Sequence, residues 1–224
     1  MTDGGRSSGS LAGFLNRVVH GDCTDVMRDI PTRSVDLVLT DPPYLVNYRP
    51  RDGQRVANDN DEAWVKPAYR EMYRILKDGS FCISTYGWNK TDVFMQAWRS
   101  AGFRVVGHIV FRKAYASTVG FLRGEHETAY LLAKGHVRRP SNPIGDVIEW
   151  SYTGNRLHPT QKPVSALRQL IEAFCPADGV VLDPFCGSGS TLVAANDSGR
   201  SFIGIELEDR HCQTAEMRLH SRTS

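Results

Sequence analysis

Short apolar runs alternate with amphipathic helical patterns along most of the chain. Runs rich in Val and Ile predict strands at 17–20, 35–40, 80–85, 105–113, 128–133, 180–182 and 202–205. Several of these runs lack a clean alternation of apolar and polar residues, which is typical of strands covered on both faces. The alternation of strand and helix patterns predicts an α/β fold with a mostly parallel sheet. We expect the runs at 105–113 and 128–133 to pair as a terminal hairpin.

Two segments show the three- and four-residue spacing of a single apolar helix face. The first spans 64–76, and we expect Gly79 to end it as a left-handed C-terminal cap. The second spans 164–174 and stops before Pro176. These helices complete the pattern of an α/β domain.

Composition sets the class of protein more broadly. At 224 residues, with 41% hydrophobic and 23% charged residues, the chain predicts one domain, from residue 13 to 224. Residues 1–12 are polar and rich in Gly and Ser, lack a secretory signal, and predict a disordered tail. Apolar stretches stay well below the length of a membrane-spanning helix. The segments 45–61 and 136–157 are rich in Gly, Pro and Asn and predict loops.

The five cysteines are scattered and form no C-x-x-C pair. The sequence therefore signals neither a metal site nor a disulfide framework, and a reducing cytoplasm is the expected compartment. The net charge of +2 and the pI of about 8.3 permit a nucleic-acid partner without requiring one.

A glycine-rich loop, Asp183-Pro184-Phe185-Cys186-Gly187-Ser188-Gly189, follows the strand at 180–182 and precedes a helix expected from about Thr191. Glycines let the backbone turn tightly against a ligand, and the helix N-terminus favours a carboxylate. About 20 residues later, Glu206 ends the next strand, where a carboxylate can accept from both hydroxyls of a ribose. The alternative interpretation is a β–α turn without a ligand.

A second motif, Asp41-Pro42-Pro43-Tyr44, closes the strand at 35–40. An aromatic amine is a poor nucleophile, and two acceptors aimed at its N–H bonds expose its lone pair. The Asp41 carboxylate and the Pro42 carbonyl can supply them, the two prolines stiffen the turn, and Tyr44 can stack on a flipped base. A bare Pro-Pro turn is the alternative. In this order, the two motifs favour methyl transfer from S-adenosylmethionine to an exocyclic amine of a base.

With these motifs the chain resembles the amino-group DNA methyltransferases of the circularly permuted β group, in which the amine motif precedes the cofactor loop. Gly21-Asp22-Cys23 and His158-Pro159-Thr160-Gln161-Lys162-Pro163 are similar to further motifs of this family. The resemblance covers about residues 17 to 219. It implies the seven-stranded, Rossmann-like sheet of S-adenosylmethionine-dependent methyltransferases, with strands six and seven as an antiparallel hairpin.

The motifs and the resemblance together predict the site residues. The amine motif, Asp41, Pro42, Pro43 and Tyr44, is the expected catalytic segment. By this resemblance, Asp22 is expected to contact the adenine amine of the cofactor. Residues 158–163 are expected to lie beside the methionine end of the cofactor. The expected cofactor contacts are Asp22, Cys23, Asp41, Thr160, Lys162, Asp183, Phe185, Cys186, Gly187, Ser188, Gly189 and Glu206.

Double-stranded DNA is the expected partner, and the family resemblance also implies a possible homodimer. Residues 104–162 contain nine Lys or Arg and four acidic residues, and this excess of five positive charges suits phosphate binding. The expected DNA contacts are Arg112, Lys113, Arg138, Arg139 and Arg156. Target recognition is expected at about 114–157, which is shorter than is usual in the family.

Asp at the first position of the amine motif resembles adenine-N6 members of the family, whereas cytosine-N4 members more often carry Ser. Adenine-N6 methylation of DNA is therefore the leading hypothesis, and cytosine-N4 methylation is the alternative. An RNA methyltransferase and a catalytically silent module that binds cofactor or DNA are further alternatives.

Overall fold

The computed structural model describes residues 10–46, 58–117, 121–140, 142–151 and 162–221. These residues form one mixed sheet of eight strands with helices on both faces. The strands are β1 (Arg17–His20), β2 (Val35–Thr40), β3 (Leu76–Thr85), β4 (Arg104–Ser117), β5 (Gly124–Ala133), β6 (Val147–Trp150), β7 (Val180–Asp183) and β8 (Ser201–Glu206). The helices are α1 (Cys23–Asp29), α2 (Val65–Ile75), α3 (Thr91–Ala101), α4 (Val164–Phe174), α5 (Ser190–Asp197) and α6 (Asp209–His220).

The strand order is β1-β8-β7-β2-β3-β5-β4-β6. In the sheet formed by the described residues, only β5 runs antiparallel to its neighbours, and the other paired strands are parallel. From the central pair β7 and β2, the chain continues to β8 on one side and to β3 on the other. Ligands of open α/β sheets bind at such a switch point, outside the carboxyl ends of the strands.

The central strand β2 is buried along its whole length, which accounts for its mostly apolar sequence. Its one charged residue, Asp36, accepts hydrogen bonds from Lys77 Nζ at 2.8 and 2.9 Å and from the backbone N–H of Val180 at 2.9 Å. A buried carboxylate is tolerated when it is paired in this way. Asp36 thereby ties β2 to both of its neighbours, β3 and β7.

Each face of the sheet is covered by its own helices. Met27, Tyr69 and Trp98 from α1, α2 and α3 are buried in one core cluster. Leu170 of α4 and Leu192 of α5 are buried in the second cluster, on the opposite face. Burial on both faces confirms the expectation drawn from the strand patterns.

The predicted strands are all present, but the end of α2 differs from the prediction. The helix stops at Ile75, and Gly79 lies inside β3 with φ of +79° instead of capping the helix. The side chain of Lys134, at the end of β5, donates to the carbonyls of Tyr73 and Leu76 at 2.8 and 2.7 Å. A distant lysine therefore satisfies the carbonyls at the end of α2, a role the sequence assigned to glycine.

The hairpin of β4 and β5 is confirmed, but it is not at the edge of the sheet. Strand β6 pairs parallel to β4 and occupies the edge, so the described sheet has eight strands instead of the predicted seven. This strand lies within 136–157, which the sequence predicted to be a loop. The region 114–157, assigned to target recognition, therefore includes sheet residues.

Part of the tail that the sequence predicted to be disordered has regular structure. Leu11–Gly13 form a 3₁₀ turn, and Leu11 packs against the core. Residues 1–9 lie outside the described residues. Among the helices that the structure describes, none is long and apolar enough to cross a membrane.

Candidate active site

The predicted site residues gather at one edge of the sheet, where five neighbouring parallel strands end. Asp22 follows β1, Glu206 ends β8, the glycine-rich loop follows β7, Asp41 follows β2 and Thr85 ends β3. Because β7 and β2 are adjacent, the amine motif and the glycine-rich loop leave the sheet side by side. This is the switch point of the fold.

The Asp41 carboxylate is held by donors from three different parts of the chain. Its Oδ1 accepts from the hydroxyl of Thr85 at 2.5 Å and from the hydroxyl of Tyr44 at 2.8 Å. The Nζ of Lys162 lies 3.1 Å from the same oxygen. Within the described chain all of these contacts fall on Oδ1, which leaves Oδ2 to accept from a substrate.

The two prolines fix the turn that carries this carboxylate. Pro42 is buried, and Pro43 and Tyr44 are half-buried. Gly87, just beyond β3, packs against the turn: a Cβ at this position would lie 2.3 Å from the backbone oxygen of Tyr44. Only glycine fits there, so the backbone beyond β3 supports the amine motif from behind.

Lys162 lies between two carboxylates. Besides Asp41, its Nζ contacts Glu127 Oε2 of β5 at 2.7 Å. The other oxygen of Glu127, Oε1, pairs with Lys113 Nζ of β4 at 2.8 Å. The ammonium of Lys162 also lies 5.6 Å from the ring centre of Tyr44 and 5.4 Å from that of Trp150. A row of alternating charges therefore runs from the amine motif into the β4–β5 hairpin.

The electrostatics of this row favour the charged forms of Lys162 and Glu127. Burial opposes the charges of Lys162 and Glu127, but their mutual attraction outweighs it. The pKa of Lys162 is raised well above its ordinary value by Asp41 and Glu127, and the pKa of Glu127 is lowered to about 2 by Lys162 and Lys113. Burial and the Asp41 carboxylate raise the pKa of Tyr44, so its hydroxyl remains a donor.

The glycine-rich loop needs two of its glycines for their backbone conformation. Gly187 and Gly189 have φ of +50° and +78°, in the left-handed region. A Cβ on Gly189 would also lie 2.8 Å from the Cβ of Ala215 in α6. Ser188 is buried, and its carbonyl accepts from Arg218 at 2.6 Å. The loop therefore packs closely onto α6 while it starts α5.

Glu206 connects the end of β8 to this loop. Its Oε2 accepts from the N–H of Gly187 at 2.9 Å, and its Oε1 accepts from the N–H of Glu208 at 2.9 Å. A carboxylate offers about four lone-pair positions, so each oxygen retains one further position. Glu206 is thus oriented by the backbone and still able to accept two hydroxyls.

Asp183 is buried at the start of the loop. Burial raises its pKa to about 7, against the opposing effect of hydrogen bonds from Thr191 and from the N–H of Phe185. Cys186 is also buried, and the ring of Phe185 packs on Trp64 at 5.0 Å between ring centres. Asp183, Phe185 and Cys186 therefore anchor the glycine-rich loop in the protein interior.

Two further predicted cofactor residues open α1. Asp22 caps the helix, since its Oδ1 accepts from the N–H groups of Thr24 at 2.8 Å and Asp25 at 3.4 Å. Cys23 is buried, and burial raises its pKa to about 12. Asp22 therefore has a structural role in addition to the predicted cofactor contact.

The predicted DNA contacts separate into different environments. Arg112 is exposed and pairs with Glu149 of β6. Lys113 is largely buried against Glu127, which favours a structural role over a DNA contact. Arg138 and Arg139 are exposed but follow the end of β5, at the sheet edge opposite to Asp41. Arg156 and Thr160 lie outside the described residues.

The sequence did not single out Glu127, Thr85 or Gly87 as parts of the site. Glu127 lies just before the strand predicted at 128–133, and its pairing with Lys162 joins residues 35 positions apart. Thr85 was expected as the last residue of a strand. A signal existed for Thr85, since polar residues at the carboxyl end of parallel strands tend to face the ligand crevice. Glu127 lies in the antiparallel strand β5, to which this rule does not apply.

Comparison with known proteins is consistent with this geometry. A family model described as DNA methylase, of the N6/N4 methyltransferase type, matches residues 35–217. The chain is 51% identical over 205 residues to YubD of Escherichia coli (strain K12), which is named as a methylase. The match covers 92% of this chain and 90% of that protein.

Two solved structures have the same fold. The complex of M1.HpyAVI with SAM matches with a TM-score of 0.74 at 22% identity, over 91% of this chain and 98% of that one. The cytosine-N4-specific PvuII DNA methyltransferase matches with a TM-score of 0.75 at 16% identity, over 95% and 86%. The fold is therefore that of the S-adenosylmethionine-dependent methyltransferases, and by the family match the chain belongs to the N6/N4 DNA methylase family.

Proposed function

We propose that this protein transfers a methyl group from S-adenosylmethionine to the N6 amine of adenine in DNA. One observation carries the proposal: the Asp41 carboxylate is fixed through Oδ1 at the switch point, next to the glycine-rich loop, with Oδ2 left to accept from an amine. A carboxylate in this position suits the acceptor role that an exocyclic amine requires.

The residues at the switch point fit S-adenosylmethionine. Glu206 has one lone-pair position left on each oxygen, which suits the two ribose hydroxyls. Gly187 to Gly189 bring the N-terminus of α5 to the same crevice, where its dipole favours the carboxylate of the methionine moiety. The remaining proposed contacts are Asp22, Cys23, Thr160, Lys162, Asp183, Phe185, Cys186 and Ser188.

At the amine, the chain supplies acceptors and orientation. S-adenosylmethionine provides an electrophilic methyl group on a sulfonium sulfur. Asp41 Oδ2 and the carbonyl of Pro42 accept the two N–H bonds of the amine, which turns the nitrogen lone pair toward the cofactor side of the crevice. When bound, the cofactor would supply the methyl carbon to which the nitrogen bonds as the carbon–sulfur bond breaks, and the amine would then lose its extra proton to solvent. Tyr44 lines the base pocket.

Adenine is preferred over cytosine because Asp occupies the first position of the amine motif. The fold gives no preference, since PvuII methyltransferase has the same fold and is cytosine-N4-specific. Cytosine-N4 methylation is therefore the second candidate. We assign target recognition to 114–157, with phosphate contacts from Arg112 and Arg156. The contacts predicted for Arg138 and Arg139 are disfavoured, because these residues lie at the sheet edge opposite to Asp41.

The direct test is incubation of the full chain with S-adenosylmethionine and unmethylated double-stranded DNA, followed by digestion to nucleosides and mass spectrometry. N6-methyladenine is the expected product. N4-methylcytosine would retain the site and change the base. Absence of any methylated base, with RNA of the same sequence methylated instead, would overturn the proposal.

A further inference from the structure

The indole of Trp88 is exposed beside the amine motif, and the sequence did not single this residue out. We propose that Trp88 is a DNA contact whose indole stacks on a base at the point where the target base leaves the duplex. The inference deepens the proposed function and rests on it, because DNA is the partner that the proposed reaction requires.

The end of β3 fixes the position of Trp88. Thr85, the last residue of β3, donates to Asp41. The three residues from Thr85 to Trp88 can span at most about 11 Å. Gly87, directly before Trp88, packs against the backbone oxygen of Tyr44. Trp88 therefore lies next to the turn that is proposed to hold the flipped base.

Local hydrogen bonds order the backbone that carries the indole. Trp88–Lys90 form a short 3₁₀ turn that leads into α3. The N–H of Lys90 donates to the carbonyl of Gly87 at 2.9 Å, and the hydroxyl of Thr91 donates to the carbonyl of Trp88 at 2.7 Å. A segment that is already ordered loses little conformational freedom on binding, which favours a contact with a partner.

The exposure of this side chain differs from that of the other tryptophans. The chain has four of them. Trp98 and Trp150 are buried, Trp64 is partly buried, and each of these three packs on at least one aromatic ring. Trp88 is 83% exposed, and among the residues that the structure describes no aromatic ring or cation packs on its indole. Most of the indole surface is therefore available to a partner.

The surroundings of Trp88 favour a nucleobase as that partner. The proposed reaction swings the target base out of the stack, which uncovers the faces of the neighbouring bases close to the amine motif. Stacking on a flat aromatic side chain is a common way to hold such uncovered bases. Lys90 adjoins Trp88, but the carboxylate of Asp92 in the first turn of α3 offsets its charge. Stacking, and not charge, is thus expected to carry the contact.

The first test measures whether DNA covers the indole. Acrylamide quenching of tryptophan fluorescence is measured on the full chain with S-adenosylhomocysteine, which prevents turnover, with and without a double-stranded DNA that the parent methylates. Trp88→Phe without DNA identifies the quenchable share that Trp88 contributes. DNA should remove most of that share. If the share instead disappears on raising the protein concentration without DNA, a second copy covers the indole and the inference is overturned.

The second test separates stacking from burial of an apolar side chain. Affinity for the same DNA, labelled with a fluorophore, is measured by anisotropy. Trp88→Ala and Trp88→Leu should each weaken binding by about 10- to 100-fold, whereas Trp88→Phe keeps a flat ring and should stay within about threefold of the parent. The slope of log affinity against log salt should not change, since no phosphate contact is removed. Parent affinity in the Leu variant would contradict stacking.

Two controls separate a DNA contact from damage to the fold. Met217→Ala removes a side chain that is 65% exposed near the end of α6, and it should leave DNA affinity unchanged. Trp88→Ala should keep the parent's midpoint of thermal unfolding and its affinity for S-adenosylmethionine. A loss of either one together with DNA affinity would assign the effect to the fold and overturn the inference.

The outcomes distinguish this inference from the proposed function. If the parent methylates no DNA, the proposed function and the inference both fail. If the parent methylates DNA while Trp88 stays quenchable in the complex and Trp88→Ala binds DNA like the parent, only the inference fails.

Discussion

The hydroxyl of Thr85 donates to Oδ1 of Asp41 at 2.5 Å and so joins the carboxyl ends of β3 and β2. Thr85 is 7% exposed, and its position at the end of a rigid strand fixes the direction of this bond. The carboxylate of the amine motif is therefore oriented from the neighbouring strand as well as by its own turn.

Replacing Thr85 with Val is expected to lower kcat by about 10- to 100-fold, because a hydrogen bond to a charged group contributes about 1.5–3 kcal/mol. Affinity for S-adenosylmethionine should change little, since Thr85 contacts the amine side of the crevice. Steady-state kinetics and calorimetry check the two parts. Thr85→Ser, which keeps the hydroxyl, serves as the control and should stay near the parent rate. Equal losses in both variants would show that the methyl group, not the hydroxyl, is what matters.

Gly189 is expected to be sensitive to the smallest possible side chain. Gly189→Ala combines a left-handed φ of +78° with a Cβ 2.8 Å from that of Ala215. Left-handed backbone alone costs about 1–2 kcal/mol for alanine, and the close contact adds to it. Thermal unfolding and calorimetry with S-adenosylmethionine should show lower stability and weaker binding.

Gly199→Ala is the matched control for that variant. Its φ is +72°, but nothing lies within 4 Å of the added Cβ. It should therefore lose only the backbone contribution and should bind S-adenosylmethionine like the parent. The packing of the loop on α6 would be refuted if both alanine variants lost the same stability and the same affinity.

Asp183 predicts a pH dependence of stability. Burial raises its pKa to about 7, whereas an unfolded aspartate titrates near about 3.9. The folded protein thus binds the extra proton between these values, and its free energy of unfolding falls as the pH rises from about 4 to about 7. Asp183→Asn lacks this dependence. Relative to the parent, the variant should gain stability across that window, on the order of a few kcal/mol.

Urea unfolding of both proteins at about pH 5 and about pH 8 measures this difference. A stability difference that is the same at both pH values would mean that Asp183 is ionised in the folded protein throughout. Asp178→Asn, on the exposed turn before β7, is a control that removes a carboxylate without removing a buried one.

The sequence predicted most of the sheet because burial and composition agree there. Strand β2 has the predicted bounds, because its six consecutive buried residues form a mostly apolar run that is not typical of a loop. The four residues of β6 were missed because Gly, Pro and Asn surround them. Their alternating burial comes from pairing with β4, and no local propensity indicates it.

The site was predictable where a motif is local in the chain and hidden where it depends on pairing. Asp41 and Gly189 carry their chemistry in short motifs that turn geometry explains. Lys162 and Glu127 are distant in the chain and meet only in the folded protein. The count of basic residues suggested that Lys113 contacts DNA, whereas Lys113 is paired with Glu127. A count of charged residues does not show which of them are paired in the folded protein.

The central claim is that Asp41 serves the amine while the glycine-rich loop serves the cofactor. The most direct measurement compares the parent with Asp41→Asn in one experiment, scoring N6-methyladenine in digested DNA and the calorimetric affinity for S-adenosylmethionine. The account predicts that the variant forms at least about 100-fold less product while its cofactor affinity stays within about threefold. Product formation at the parent rate, or loss of cofactor binding together with activity, would contradict it.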